Sequence, residues 1–345
     1  LFFSANLSAQ SQGGKGQKEP PSVDQIFKEM DKDEDGKLSK EELKGPIKDD
    51  FDTIDTDEDG YISKEELEKA PKPKGTLSDG TQTDCYQIVT SSLATDHEMG
   101  PWCPDNIADG EEAGGIWLEG GEVYDVDGAF VENLATFYND TNWLLYDANG
   151  DIYVTDTKED CENAANPNVG AEYENFWVEC LPSYITDLSQ TWVIPVRPVI
   201  QTSPTLFTTA GGGPPGAGNT APSTRGVALN GIEFSAPAPV DNILGAYTLA
   251  PFDDAGGHIN VHQGYHYHAA TGFGTQIVQD DGHAALIGYA LDGFGIYALE
   301  DANGDSPSDL DELRGHTDDT RGYHYHVDAA GNNNFINGLK GAYVN

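Results

Sequence analysis

The chain has 345 residues, with 59 Asp and Glu against 18 Lys and Arg and a formal net charge of -41 at pH 7. That length gives room for two or three domains and a sizeable core, while the acidity excludes nucleic acid and anionic lipid as partners, because their phosphates would be repelled. No apolar run reaches the roughly 18 residues that a membrane span needs, and abundant glycine (40 residues), 10% aromatics and short hydrophobic runs broken by turns indicate a β-rich, loop-rich protein.

Leu1 to Ala9 reads as the tail of a signal peptide, with cleavage after Ala9, and residues 10–21 as a polar, flexible lead-in. The expected location is therefore secreted or periplasmic. Ser22 followed by Gln25 fits a capping box that opens a helix through Ile26, Phe27 and Met30.

Directly after this helix comes Asp31-Lys-Asp33-Glu-Asp35-Gly36-Lys37-Leu38-Ser39-Lys-Glu-Glu42. A twelve-residue calcium loop takes side-chain oxygens at positions 1, 3 and 5, a backbone carbonyl at 7, a ligand or water at 9 and a bidentate carboxylate at 12, with Gly at 6 for the sharp turn. All of these requirements are met: Asp31, Asp33, Asp35, the Lys37 carbonyl, Ser39 and Glu42. A second copy follows, offering Asp55, Asp57, Asp59, the Tyr61 carbonyl, Ser63 and Glu66, with Gly60 at the turn. Leu38 and Ile62 occupy matching positions, so the two loops can pair as a short ribbon. These residues resemble the EF-hand family over 22–70 and imply calcium as a cofactor. One loop pair, in a chain with two Met, suits a structural or buffering role better than peptide sensing.

Pro71-Lys-Pro73-Lys-Gly75 begins a short linker, 71–79. The expected third unit, 80–345, has a cysteine-bearing part (80–205) and a histidine-rich part (206–345). Strands are expected at Cys85–Val89, Gly115–Leu118, Trp143–Tyr146, Ile152–Thr155 and Thr191–Val196, with a hairpin turn at Asn149-Gly150. Cys85, Cys103, Cys161 and Cys180 form no C-x-x-C pair. An even count in an exported chain points to two disulfides, with all three pairings open. His97, in a polar and aromatic cluster, is read as structural. Gly211–Gly218 is a loop and not a phosphate cradle, since no Lys-Ser/Thr follows. Hairpins are expected at Gly226–Phe234, turning at Asn230-Gly231, and at Leu286–Leu299, turning at Asp292-Gly293.

Eight of the nine histidines lie between His258 and His326, and Gly-Tyr-His-Tyr-His occurs twice, at 264–268 and 322–326. On a strand, alternate side chains share a face. His266 with His268, and His324 with His326, then project together, with their tyrosines opposite. Imidazole is a ligand for zinc, copper, iron and nickel, so these four histidines form the candidate transition-metal site, for copper or zinc. His258, His262, His283 and His316 stand in reserve, and Asp292, Asp311 and Glu312 are candidates to orient the rings or complete a mixed site. A metal-free Tyr/His acid–base site is the other chemical option. Asp301 to Glu312 carries oxygens at loop positions 1, 3, 5, 9 and 12 but Ser306 in place of Gly, and reads as an acidic surface loop.

The ordered set of Gly226-Val-Ala-Leu-Asn-Gly-Ile, His258 seven residues before Tyr265, Tyr-His-Tyr-His, His283 ahead of Leu286–Tyr297, Leu310-Asp-Glu312 and the second Tyr-His-Tyr-His resembles the bacterial YHYH domain, over about 190–330. The resemblance implies an exported protein of no established reaction. Members often carry Cys after Leu-Asp-Glu; here that position is Leu313. The expected class is an α+β multidomain protein, in which a small all-α EF-hand pair precedes a mainly antiparallel β, disulfide-bearing domain. Two functions compete: a calcium-binding metalloprotein, extending to a metalloenzyme, and a calcium-dependent extracellular binding or matrix module with structural histidines and an extracellular ligand.

Overall fold

The computed structural model describes residues 23–43 without 34, 51–70, 74–100, 102–164, 170–185, 188–207 and 222–344. The signal-peptide and lead-in expectations, the capping box at Ser22, the first linker residues and the Gly211–Gly218 loop fall outside these segments.

The first unit is built as the loop spacing requires. α1 (Val23–Met30) leads into the first loop, β1 (Lys37–Ser39) closes it, and α2 (Phe51–Ile54) leads into the second, closed by β2 (Tyr61–Ser63) and α3 (Lys64–Lys69). β1 and β2 pair antiparallel with Leu38 opposite Ile62. Both are buried with Ile26, Phe27, Leu43, Phe51, Ile54 and Leu67 in a small separate core. A capping box starts α3: the Ser63 hydroxyl accepts from the Glu66 N–H, and Glu66 reaches back to the Ser63 N–H.

The rest is β-rich. β3 (Lys74–Thr76), β4 (Gln82–Ser91) and β7 (Ser189–Pro195) form one antiparallel sheet, and β5 (Ile116–Glu119) and β6 (Glu122–Asp125) form a hairpin. The expected linker is thus strand from Lys74, tied to β4 by ladder hydrogen bonds. Trp143–Tyr146 and Ile152–Thr155 are not strands. They meet only at isolated bridges such as Tyr146 with Ile152, since Trp143 and Leu145 turn into a core around Trp117, Trp177 and Phe252. Two helices appear where strands dominate the pattern. One is α4 (Gly128–Phe137), N-capped by Asp127 through the Phe130 N–H; the other is α5 (Lys158–Ala164). Of the two expected disulfides one is formed, Cys161–Cys180, while Cys85 and Cys103 are free. The Cys85 thiol lies on β4 packed against Gly75, and that of Cys103 faces the Pro104 carbonyl, so the two sulfurs look into different surroundings.

β8 (Ile200–Leu206) precedes an eight-stranded sheet made of β9 (Gly226–Ala228), β10 (Glu233–Phe234), β11 (Gly257–Asn260), β12 (Gly264–Tyr267), β13 (Leu286–Ala290), β14 (Gly295–Tyr297), β15 (Gly315–Asp318) and β16 (Gly322–His326). The helix α6 (Val240–Gly245) lies between β10 and β11, and β17 (Gly338–Gly341) pairs with β8. The strand order is β11-β12-β10-β9-β13-β14-β16-β15. Both expected hairpins are present, with Gly231 and Gly293 at positive φ in their turns. The sheet is mixed, however, because β10 with β12 and β14 with β16 run parallel. Tyr265, Tyr267 and Tyr325 are buried in the main core with Phe234, Ile296 and Phe335.

Candidate metal centres

In each calcium loop the backbone folds around the carboxylate at position 1. Asp31 accepts from the Asp35 and Gly36 N–H groups, and Asp55 from those of Asp59 and Gly60. Gly36 and Gly60 have φ of 82° and 84°, a conformation that disfavours side chains. The last carboxylate closes each loop: Glu42 accepts from the Ser39 N–H and hydroxyl and from the Lys32 N–H, and Glu66 from the equivalent Ser63 groups and the Thr56 N–H. Hydrogen bonds from the Ser39 backbone first of all lower the Glu42 pKa to about 2, and those from Ser63 do the same for Glu66.

Asp31, Asp33 and Glu42 bring one oxygen each within 4.8 Å of one another, as do Asp55, Asp57 and Glu66. Asp35 accepts instead from the Lys37 N–H, and Asp59 is ion-paired to the Lys37 side chain. Ionised, converging oxygens suit a hard dication, and calcium would supply the charge that holds them together. Replacing Glu42 or Glu66 by Gln is expected to remove one equivalent of calcium each, read by titration calorimetry, with the other loop still titrating.

The histidines are placed by strand geometry. His266 and His268 share one face of the β12 chain, and His324 and His326 share one face of β16, with Tyr265, Tyr267, Tyr323 and Tyr325 on the other. The antiparallel neighbour completes each set, because His258 on β11 is the partner of His266 and His316 on β15 the partner of His324. A Cβ on Gly257 would stand 2.5 Å from the Tyr265 hydroxyl, and one on Gly315 would stand 2.2 Å from that of Tyr323, so only glycine precedes these two histidines.

The four histidines expected to form one site are divided between two. His258, His266 and His268 form one cluster, and His283, His316, His324 and His326 the other. The reason is that β12 and β16 lie on opposite sides of the central β9–β13 pair. His262 belongs to neither; it is exposed in the β11–β12 turn. Asp292 and Asp311 do not orient imidazoles. They accept from the Tyr325 and Tyr323 hydroxyls. Glu312 is exposed and does not gather with Asp301 in any metal-ligand group among the described residues. Tyr265 and Tyr325 face the core with no exposed surface, which leaves them no access to a substrate as acid or base. His97 is bound to the Tyr265 hydroxyl at 3.0 Å and to Asp96 at 2.9 Å, a satisfied structural position.

Ring orientation fixes the protons. Nδ1 of His266, His268, His283, His324 and His326 faces the backbone carbonyls of Gly264, Ala236, Ala284, Gly322 and Ala298 at 2.6–3.0 Å. Nδ1 of His316 faces Asp309 at 2.7 Å. The His258 ring is bonded to the Pro251 carbonyl. An oxygen of this kind only accepts, so each Nδ1 carries the hydrogen and donates. Burial lowers His258 and His326 to about 3 and His324 to about 4, and lowers His266, His268 and His283 as well, which holds these six rings neutral.

The Nε2 atoms of these six rings are then unprotonated, and within each cluster Nε2 atoms stand close together. His258 to His268 is 3.2 Å, His283 to His324 3.1 Å, His316 to His324 2.9 Å and His316 to His326 3.2 Å. Metal–nitrogen bonds of about 2.0–2.1 Å place neighbouring ligand atoms about 2.9 Å apart at right angles and about 3.3 Å apart in a tetrahedron. The observed spacings fall in that interval. Carbonyls and Asp309 on the outer nitrogens are the usual partners that set the tautomer of a metal-binding histidine.

The fold and its sites define an acidic protein in which a tandem calcium-loop unit precedes a β-rich unit holding paired histidine clusters. In the family comparison residues 23–45 and 47–70 match the EF hand family, and residues 191–309, ending before the second Tyr-His-Tyr-His segment, match the family described as YHYH protein. The chain thus carries an EF-hand region followed by a YHYH domain. The comparisons with curated proteins and with solved structures give no match.

Sequence reasoning missed that there are two clusters, and missed Asp309. A signal was present: Gly257-His258 and Gly315-His316 stand the same distance before the two Tyr-His-Tyr-His segments, as Tyr265 and Tyr323 show by following their histidines at the same spacing.

Proposed function

We propose that this chain is an exported, calcium-binding metalloprotein whose YHYH domain binds transition metal through its histidine clusters. The observation that carries the reading is the facing Nε2 lone pairs. Neutral imidazoles whose hydrogens are all committed outward leave mutually repelling acceptors at about 3 Å, and a cation between them turns that repulsion into four or three bonds. The ligand chemistry is borderline nitrogen, which suits copper and zinc over calcium. The protein's own contribution is to hold tautomer and ring orientation through the carbonyls and Asp309, and to keep the rings unprotonated by burial. The bound ion would supply Lewis acidity or redox chemistry. Export is supported by the Cys161–Cys180 disulfide, which persists in oxidising compartments.

Elemental analysis of untagged protein, exposed to copper and zinc and then to a calcium-selective chelator, tests this. About two equivalents of transition metal per chain are expected to remain, one per cluster. Retention of none after loading, with calcium alone recovered, would leave the histidines structural and favour the calcium-dependent binding module.

A further inference from the structure

The eight-stranded sheet is a duplicated unit. β9–β12 and β13–β16 follow the same plan: an antiparallel hairpin, whose second strand runs parallel to a Tyr-His-Tyr-His strand, whose antiparallel neighbour carries a lone histidine. The correspondence extends to single hydrogen bonds. His268 uses the Ala236 carbonyl and His326 that of Ala298. Tyr265 donates to Asp253 and Tyr323 to Asp311, and each aspartate also accepts from the glycine N–H four residues on, Gly257 or Gly315. Tyr267 is held by Asn230 and Tyr325 by Asp292, the turn residues of the two hairpins.

Against this match, one difference stands out. Phe234 pairs with Tyr267 and Ile296 with Tyr325, so the residue before each is the counterpart of the other: Glu233, opposite His266, and Gly295, in register with His324. In the half with glycine, His283, from the segment before β13, supplies the fourth imidazole, its Nε2 3.1 Å from that of His324. Where Glu233 stands, the cluster has three imidazoles and a carboxylate beside them. Cross-strand partners project to the same side, and Glu233 is 5% exposed. Its oxygens accept from the Thr224 and Ser235 hydroxyls and from the Gln263 and Gln190 amides. None of these donors is charged, and the nearby Arg225 guanidinium donates instead to the Pro222 and Ser223 carbonyls. Four neutral donors hold the carboxylate in place on the histidine side of the sheet, where it can balance a bound cation.

We propose that the two halves hold different metal centres. The second, with four imidazoles, is closed by His283. The first binds its dication through His258, His266 and His268, is charge-balanced by Glu233, and keeps its fourth position for a small anion such as hydroxide. A dication beside one carboxylate retains a single positive charge, which is why the fitting ligand is a monoanion. Three protein ligands with a free position is the arrangement of reactive sites, and four that of structural ones. This inference rests on the metal-binding reading above.

Cobalt(II) makes the two centres visible. The calcium-loaded full chain carrying His324→Ala and His326→Ala, which leaves only two imidazoles at the second centre, reports on the first centre, and that carrying His268→Ala on the second. Azide is expected to shift the visible cobalt bands of the first and leave the second unchanged. Adding His283→Ala to the His268→Ala chain is expected to make the second centre respond. Glu233→Gln is expected to weaken cobalt binding at the first centre about 10–100-fold, the range for loss of a group supporting the ligands, with the second unaffected. A cobalt-loaded first centre that ignores azide, or a second that responds with His283 present, overturns the proposal. Absence of cobalt from both centres refutes the metal reading beneath it. If Glu233→Gln fails to fold by circular dichroism, the His283→Ala arm still decides.

Discussion

Acidifying the metal-free protein from pH 7 to pH 4.5 is expected to lower its stability steeply. In the unfolded chain each histidine takes its proton near pH 6.5, while burial keeps the folded His258 and His326 neutral to about 3 and His324 to about 4. Between these values the unfolded state binds more protons, so stability is full above pH 6.5 and falls as the pH drops towards the folded values. For His258 alone the two pH units between 6.5 and 4.5 amount to roughly 3 kcal/mol, against a total of about 5–15 kcal/mol for an ordinary domain. Asp292 works in the opposite sense. Burial raises it from 3.8 to about 6, so the folded state gains a proton first and recovers roughly 3 kcal/mol as the pH falls through that interval. The calcium-loop carboxylates Glu42 and Glu66 enter only below about pH 4.5. Urea midpoints at pH 7, 5.5 and 4.5 after transition-metal chelation, with calcium kept present, therefore leave out the loop carboxylates, and the same series in Asp292→Asn separates the histidines from Asp292. A midpoint that does not move would show that the rings are not held neutral. Loading with zinc is expected to raise the midpoint at pH 7 and to steepen its fall with acid, because protons then compete with the metal for Nε2.

Asp292→Ala is expected to cost about 3–5 kcal/mol, the range for breaking a buried charged network. Asp292 has no exposed surface, and its carboxylate accepts from the Tyr325 hydroxyl at 2.7 Å, the Gly341 N–H at 2.8 Å and the Phe294 N–H at 3.3 Å. Truncation leaves these three donors without an acceptor in the core, and each unmade hydrogen bond costs about 1–3 kcal/mol. The Gly341 bond also ties β17 to the histidine-bearing sheet, so the C-terminal strand is expected to loosen with it. Tyr325→Phe removes one donor to Asp292 and the acceptor of the Lys340 N–H, and is expected to cost about 1–3 kcal/mol by the same reasoning. Asn230→Ala, at the matching but partly open turn of the first half, is expected to cost less than Asp292→Ala. Chemical denaturation of the three variants at pH 7 gives the order. Equal losses at Asp292 and Asn230 would contradict the weight placed on burial.

The calcium unit was legible because its ligands come from one continuous loop. Spacing alone places Asp31, Asp33 and Glu42, and the sharp turn needs Gly36 wherever the loop sits. The hairpins at Asn230-Gly231 and Asp292-Gly293 were legible for the same reason, since a turn is a local property of the chain. The same-face pairing of His266 with His268 followed from strand periodicity. What periodicity does not carry is the order of strands. His266 and His324 belong to different centres because β9 and β13 lie between their strands, and that order is fixed by packing of Phe234, Ile296, Tyr267 and Tyr325 in a shared core. The helices α4 and α5 and the irregular course of Trp143–Thr155 were hidden likewise. Short apolar runs such as Trp143-Leu-Leu-Tyr146 suit a strand or a buried loop equally, and Trp117, Trp177 and Phe252 decide between them. Cysteine number could not decide pairing, because reach depends on where the fold carries each sulfur: Cys85 lies on β4 against Gly75, and Cys103 faces the Pro104 carbonyl.

The sheet order puts β11 at one margin and β15 at the other. An outermost strand offers unpaired amides and carbonyls, the usual template for joining a second copy edge to edge. Each margin here holds one candidate metal ligand, His258 or His316, set against histidines of the strand inside it. A cation bound across that gap works as a rivet at both ends of the sheet, adding a cross-strand bond to ladders only four residues long. On the proposed metal reading, demetallation loosens both margins together, and light scattering of the stripped protein is expected to show self-association before its core unfolds.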